Sequence, residues 1–285
     1  MRRLHHLPGD SFKYFAAIVD AKHSPRKSRL IEIKPRIEEY YRKFVTDPSA
    51  LTVLNAAEFT ADLKGDLCHC YTNSTRPLEQ LKADIDEHLR KTCPIAAAMC
   101  QYCGLTHAPS SFDHYVPKEL FPEYATHSHN LVPSCERCNT LKGSAWLGAG
   151  NEREIISFYF DTLPKNRFLH ADIQMAPGPT AQFRLSTESS DFDGLEAVIR
   201  AHFKKIRLLD RYKLAAPAEF SERIVELASV LRDLGQVAAT NLLRKKAEQT
   251  TEANSPNYWK VALLHAMADS EAFIDWCGRP SERTP

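Results

Sequence analysis

Two C-x2-C pairs, Cys100–Cys103 in "CQYC" and Cys135–Cys138 in "CERC", constrain this chain more than any other feature of it. A thiol pair at that spacing forms a tight knuckle that presents two sulfurs to one ion. Zinc takes four tetrahedral ligands, so two knuckles complete a site. The 31 residues between Cys103 and Cys135 leave room for a hairpin, with the second knuckle opening a helix. Four thiolates leave no coordination position for water, so a Zn²⁺ held this way is structural. Between Ala96 and about Gly150 the apolar residues fall in short pieces separated by Pro, Ser and His. Such a segment lacks a sufficient core of its own, and a metal supplies the missing stability.

The other four cysteines are scattered. Cys68 and Cys70 flank His69, but a lone C-x-C with no partner pair is poor evidence of a second metal site, and these two, with Cys93 and Cys277, read as ordinary reduced thiols. Eight cysteines in 285 residues do not make a disulfide scaffold. A composition of 43% hydrophobic and 26% charged residues is that of a globular protein. No stretch approaches the roughly 20 apolar residues of a membrane span, and the first residues lack an apolar signal region, so a cytoplasmic protein without a membrane partner is expected.

The flanks read as helical. Leu30, Ile33, Ile37, Tyr41 and Phe44 recur near helical spacing, with Pro35 marking where the regular helix begins. Asp47 as N-cap, Pro48 at the first helical position and Gly65 as stop bound a second helix. Leu78, Leu81, Ile85 and Leu89 define a third. After the cysteine segment, "NEREIISFYFDTL" reads as a helix, "AQFRLS" as a strand or half of a hairpin, and three helices follow at roughly 192–213, 217–248 and 257–276. The expected organisation is a basic arm (1–27), a helical region (28–95), the cysteine module (96–150), a helix and connector with a short strand (151–190) and a C-terminal helical region (191–285).

A net charge of +1 does not advertise a nucleic-acid partner. Residues 1–45, however, hold eleven Lys and Arg against five Asp and Glu, in "RRLHH", "KHSPRKSR" and "KPR". That excess gains meaning only if the centre acts on phosphates.

Between the knuckles lies "FDHYVPKELF". Asp113 and His114 are adjacent in a short strand pattern, so their side chains should leave on opposite faces unless a bulge or strand end re-aims them. Asn130 precedes the second knuckle and Asn139 follows it at once. Of these residues His114 is the one whose side chain titrates near neutral pH and is the natural base.

The array Cys100-x2-Cys103, Asp113-His114-x2-Pro117, Asn130-Leu131, Cys135-x2-Cys138-Asn139, Lys142-Gly143 resembles the HNH endonuclease family in its zinc-knuckle form. The resemblance implies a two-stranded hairpin and a helix around a catalytic metal. The fold class expected is therefore mainly α with a small ββα-metal, treble-clef-like module inserted between helical regions. It further implies that Asp113 and Asn139 bind one Mg²⁺ or Mn²⁺, ions that suit oxygen ligands. Asn130 is implied to orient the hairpin and the base. Lys142, one turn beyond Asn139, and Lys118 are candidate contacts to a phosphate. The third letter of the family name is Asn139 here rather than His, which leaves His129, in "HSHN", as a substitute ligand to consider beside His107 and His127. The function expected is an endonuclease that nicks or cuts DNA, of the restriction or phage-defence kind, with an ATPase subunit or a second copy as possible partner. Alternatives are an RNA-cleaving enzyme and a zinc-stabilised nucleic-acid-binding module without activity.

Overall fold

The computed structural model describes residues 1–44, 52, 56–105, 108–186, 192 and 194–279. Two compact units divide the chain, one of residues 2–162 and one of Met1 with residues 163–285. The described residues are mostly helical, with two short hairpins among them.

In the first unit, α1 (Phe12–Asp20), α2 (Arg26–Lys43), α3 (Ala61–Thr72) and α4 (Arg76–Thr92) precede a single turn, α5 (Pro94–Ala97). Their buried faces are the apolar stripes of the sequence: Phe15, Ile18 and Val19 on α1, Leu30 and Ile37 on α2, and Leu78, Leu81, Ile85 and Leu89 on α4. Each such side chain contributes about 1.5–3 kcal/mol on leaving water. The hairpin β1 (Ser111–His114) and β2 (Leu131–Ser134) follows, antiparallel, with Asp113 opposite Val132 and His114 opposite Leu131. Short 3₁₀ turns at Pro122–Tyr124 and Ser128–Asn130 shape the connection between the strands, and α6 (Glu136–Lys142) leads away from them.

Three expectations fail here. Pro35 lies inside α2 rather than at its start. Leu30 and Ile37 are fully buried on either side of it, while Pro35 itself is exposed, so the backbone carbonyl it leaves unbonded lies on a solvent face. Gly65 does not stop a helix. Thr60 accepts from Leu63 N at 3.4 Å to start α3, and the helix continues through Gly65 because Leu67 and Cys70 are buried beyond it. The proposed cap Asp47 and Pro48 lie outside the described residues. The segment 151–163 is irregular, not helical. Residues Ile155 to Asp161 are all buried, whereas a surface helix would keep a polar face. Asp161 fixes the turn by accepting from Ser157 N at 2.8 Å and pairing with Arg153 at 2.8 and 2.9 Å.

In the second unit the hairpin β3 (Leu169–Gln174) and β4 (Thr180–Leu185) pairs Leu169 with Leu185 and Gln174 with Thr180. Its helices are α7 (Glu196–Lys205), α8 (Leu208–Ala253), α9 (Trp259–Asp269) and α10 (Glu271–Gly278). The expected helix 192–213 is interrupted at Arg207, whose φ of 55° no regular helix adopts. Pro217 does not divide α8; the break in that element is Gly235, at φ 81° and ψ −179°. The expected helix 257–276 is two helices, because the side chain of Ser270 caps α10 by accepting from Phe273 N at 3.2 Å.

Candidate metal centre and active site

The two knuckles come together. Gly104 turns the chain after the first, with φ 61° and its N–H on Cys100 O at 2.8 Å. The second opens α6, with Cys135 at the N-cap. All four cysteines are buried, and their sulfurs lie within 4.8 Å of one another. Four sulfurs about 2.3 Å from one zinc are about 3.8 Å apart, so the cluster has the size a zinc site requires. Thiol–thiol hydrogen bonding pushes Cys100 and Cys138 up and pulls Cys103 and Cys135 down, as expected where several thiols share one small space. A divalent cation relieves that crowding by binding all four as thiolates. Among the described residues no other group of three or more Cys, His, Asp or Glu converges in this way. Cys68 donates to Lys118 O at 3.3 Å, and Cys70 is buried.

Asn130 is fully buried and spends its whole amide on the backbone. Its Oδ1 accepts from Val116 N at 2.8 Å, and its Nδ2 donates to Val116 O and Tyr124 O, both at 3.1 Å. It thereby ties the residues that follow His114 to the turn that precedes β2.

Asp113 and His114 leave β1 toward different partners, as strand alternation dictates. The Asp113 carboxylate accepts from Tyr102 Oη at 2.7 Å and from Lys142 Nζ, at 3.2 Å on Oδ1 and 3.0 Å on Oδ2. Lys142 also donates to His114 O at 2.7 Å. Burial pushes Asp113 up and Lys142 down, and their mutual attraction offsets part of both shifts. Lys142 is therefore not a phosphate contact. Its side chain is 0% exposed, because at its end of α6 the side chain runs under β1 to Asp113 and His114 O, whereas Asn139 stays half-buried. Gly143, at φ 54°, ends α6 directly after it.

His114 Nε2 donates to Ala125 O at 2.9 Å, and the ring packs edge-on against Tyr71 with centroids 4.2 Å apart. A carbonyl only accepts, so Nε2 carries the proton and Nδ1 keeps its lone pair. Burial holds the imidazole neutral, pushing it down to about 3. Tyr71 Oη donates to Phe112 O at 3.0 Å and fixes the packing ring.

Asn139 Nδ2 donates to Ser111 Oγ at 3.2 Å, one strand repeat from the Asp113–Lys142 pair. Among the described residues its Oδ1 makes no hydrogen bond. Asp113 uses three of about four acceptor positions, so one lone pair remains. A carboxylate and an amide oxygen on one strand–helix face are donors that suit Mg²⁺ or Mn²⁺. His129, the histidine considered as a substitute, is otherwise engaged: its Nε2 donates to Leu7 O at 3.1 Å and its ring stacks on His6, while the neighbouring His127 stacks on Phe44. His107 lies outside the described residues. Lys118 is half-buried and pairs with Glu119 at 2.6 Å.

Tyr102, Tyr71 and Ser111 shape this site without having been singled out in the sequence. Tyr102 lies inside "CQYC", where any residue is carried toward the hairpin with its knuckle. Tyr71 is 41 residues from Phe112 and left no local signal.

Comparison with known proteins gives two matches. Residues 100–145 match the model of the HNH endonuclease family. Protein ea31 of Escherichia phage lambda is 24% identical over 186 residues, covering 61% of this chain and 63% of that protein, so the chain spans less than two thirds of its relative. No solved structure matches.

Proposed function

We propose that this chain, which carries an HNH endonuclease domain over residues 100–145, hydrolyses phosphodiester bonds in DNA. The observation that carries the reading is the bond that sets the tautomer of His114: Ala125 O accepts from Nε2–H at 2.9 Å, which leaves the Nδ1 lone pair as a base within the matched hairpin. In the reaction, Nδ1 accepts a proton from water as the water oxygen bonds to phosphorus, and the bond to the 3′ oxygen breaks. Asn130 ties Val116, just beyond the base, to Tyr124, next to the carbonyl that holds Nε2, so the ring is positioned before substrate arrives. Asp113 and Asn139 are the residues to hold one Mg²⁺ or Mn²⁺, which when bound stabilises charge on the scissile phosphate and the leaving oxygen. The four cysteines hold Zn²⁺ and act indirectly, by fixing α6 against β1.

One observation favours a second reading. Lys142 already balances the charge of Asp113, so a divalent ion would meet a like charge about 3 Å from its ligand. A zinc-stabilised nucleic-acid-binding module without activity has no such conflict. The similarity to a phage protein supports a role in the phage–host setting, as a restriction or phage-defence effector. A second copy for double-strand cutting and an ATPase partner belong to that proposal.

The test is cleavage of supercoiled plasmid and of a structured RNA with Mg²⁺, with Mn²⁺ and without added metal, beside His114→Ala. Metal-dependent DNA products that vanish in the variant are expected. Cleavage confined to RNA moves the substrate, and intact substrates in every lane leave the binding module.

A further inference from the structure

The basic segment "KHSPRKSR" is folded rather than a free arm. It forms the start of α2, and with α3 it lines a pocket of 340 Å³ whose walls include Lys22, Arg26, Arg29, His69, Ser74 and Thr75. Two of these cations, Arg26 and Arg29, share one acid, Asp66, which is buried beneath them. Arg26 Nε donates to Asp66 Oδ1 at 2.7 Å and Arg29 Nε to Oδ2 at 2.6 Å. Asp66 holds both guanidinium groups by Nε alone, which leaves their outer Nη edges oriented. Among the described residues the two Nη groups of Arg29 make no protein hydrogen bond. Lys22 is almost fully buried and, among the described residues, donates only to neutral acceptors, His69 O and the carbonyl and side chain of Asn73, with no carboxylate paired to it.

His69, which lines the same pocket, supplies a second observation. Arg26 Nη1 lies 3.2 Å from His69 Nε2, and since guanidinium only donates, Nε2 accepts and Nδ1 carries the ring proton. That Nδ1–H is buried with no partner. A buried donor without an acceptor, beside two oriented guanidinium groups and the Thr75 hydroxyl, is matched by an oxyanion with several acceptor oxygens; the Ser74 hydroxyl is already spent on Glu79 at 2.9 Å.

The helix that carries this pocket also carries the candidate active site on its opposite face. Asp66 and His69 face α2; Cys68 and Tyr71 reach Lys118 O and Phe112 O, and Tyr71 packs on His114. One helix diameter, roughly 10 Å, separates the two faces, about the length of three nucleotides of a strand at ~3.4 Å each. We infer that the pocket formed by Lys22, Arg26, Arg29 and His69 is a phosphate-binding subsite that seats the backbone of a nucleic acid a few nucleotides from the bond presented to His114. This rests on the nuclease reading for its geometry and not for its binding chemistry.

The experiment is equilibrium binding of a duplex and a single-stranded oligonucleotide to the full chain across a salt series, without added divalent metal. It compares the wild type, Arg29→Gln, and Arg26→Gln/Asp66→Asn/Arg29→Gln, the last removing the acid together with its cations so that no buried charge is stranded. Thermal midpoint and zinc content establish that each variant is folded. Each phosphate that a variant no longer neutralises reduces the slope of log K against log salt by about 0.9 on duplex and about 0.7 on single-stranded DNA. The expected result is a slope lowered by the equivalent of about one phosphate in Arg29→Gln and about two in the triple variant. Affinity should fall about tenfold or more, and in cleavage assays KM should rise with kcat unchanged. Equal slopes and affinities in folded variants overturn the proposal. So does a thermal shift with millimolar inorganic phosphate that disappears in the variants while oligonucleotide binding is unchanged, which makes the occupant a free phosphate. A wild type that binds with the expected slope but never cuts removes the nuclease reading and leaves the subsite standing.

Discussion

At the scale of single residues, Lys142 and Asp113 decide most about the centre. A fully buried ion pair gains little net stability, because desolvating two charges costs nearly as much as their attraction returns, but removing one partner strands the other. Lys142→Met is therefore expected to destabilise the protein by about 3–5 kcal/mol in urea unfolding. Lys142→Met/Asp113→Leu should regain most of that loss. A double variant as unstable as the single one would show that Lys142 acts through His114 O instead. Asn130 is the other residue whose loss is legible in advance. Asn130→Ala strands Val116 N and two carbonyls, with an expected cost of about 2–3 kcal/mol. Because it touches neither Asp113 nor Asn139, it should lower the cleavage rate without changing the concentration of Mn²⁺ needed for half-maximal activity.

The joint between α2 and α3 is where elements, rather than residues, carry a prediction. Asp66 is buried, which pushes its carboxyl up, but the hydrogen bonds from Arg29 and Arg26 outweigh burial and hold it below the ordinary carboxylate range. A group whose pKa is depressed by folding gives stability that is complete above its unfolded value, about 3.9, and is lost as pH falls through the folded value. Wild type should thus exceed Asp66→Asn in stability at pH 6, and the gap should close below about pH 4 in urea titrations. A gap independent of pH would mean that Asp66 contributes by packing alone. The same joint shows what the sequence could reveal. The stripe Leu78, Leu81, Ile85 and Leu89 is buried as its spacing requires, because α4 presents one face to a core. Pro35 and Gly65 misled because their local meaning was overridden by packing on either side. The segment 151–163 misled because a run buried on every side carries no period. At the candidate site, the four cysteines, Asp113, His114, Asn130 and Asn139 stood out by type and spacing. What could not be read is which oxygen meets which proton: Lys142 faces the side its helical position indicates, but only β1 makes that side an interior.

Across the whole molecule, the zinc proposed for the four cysteines and the apolar cores would be separable sources of stability. The hairpin module has few apolar residues per strand and is held by four buried thiols, whereas the second unit has its own aromatic core in Phe203, Tyr212, Phe220, Trp259 and Phe273. The apparent free energy of binding a structural zinc is on the order of 10 kcal/mol, comparable with the roughly 5–15 kcal/mol that stabilises a whole domain. Stripping the ion is therefore expected to unfold residues 100–146 outright rather than loosen them. Four uncharged thiols cannot substitute for the cation, and the protons released from them on zinc binding tie the site to pH. Hydrogen exchange followed by mass spectrometry, before and after a thiol-competing chelator, should show protection disappearing across β1, β2 and α6. Protection in α8, α9 and α10 should persist. Cys138→Ser should reproduce the pattern without chelator and abolish zinc retention. If the amides of α8 to α10 exchange as fast as those of the hairpin once zinc is gone, the second unit does not fold on its own core, and the division of stability drawn from burial is wrong.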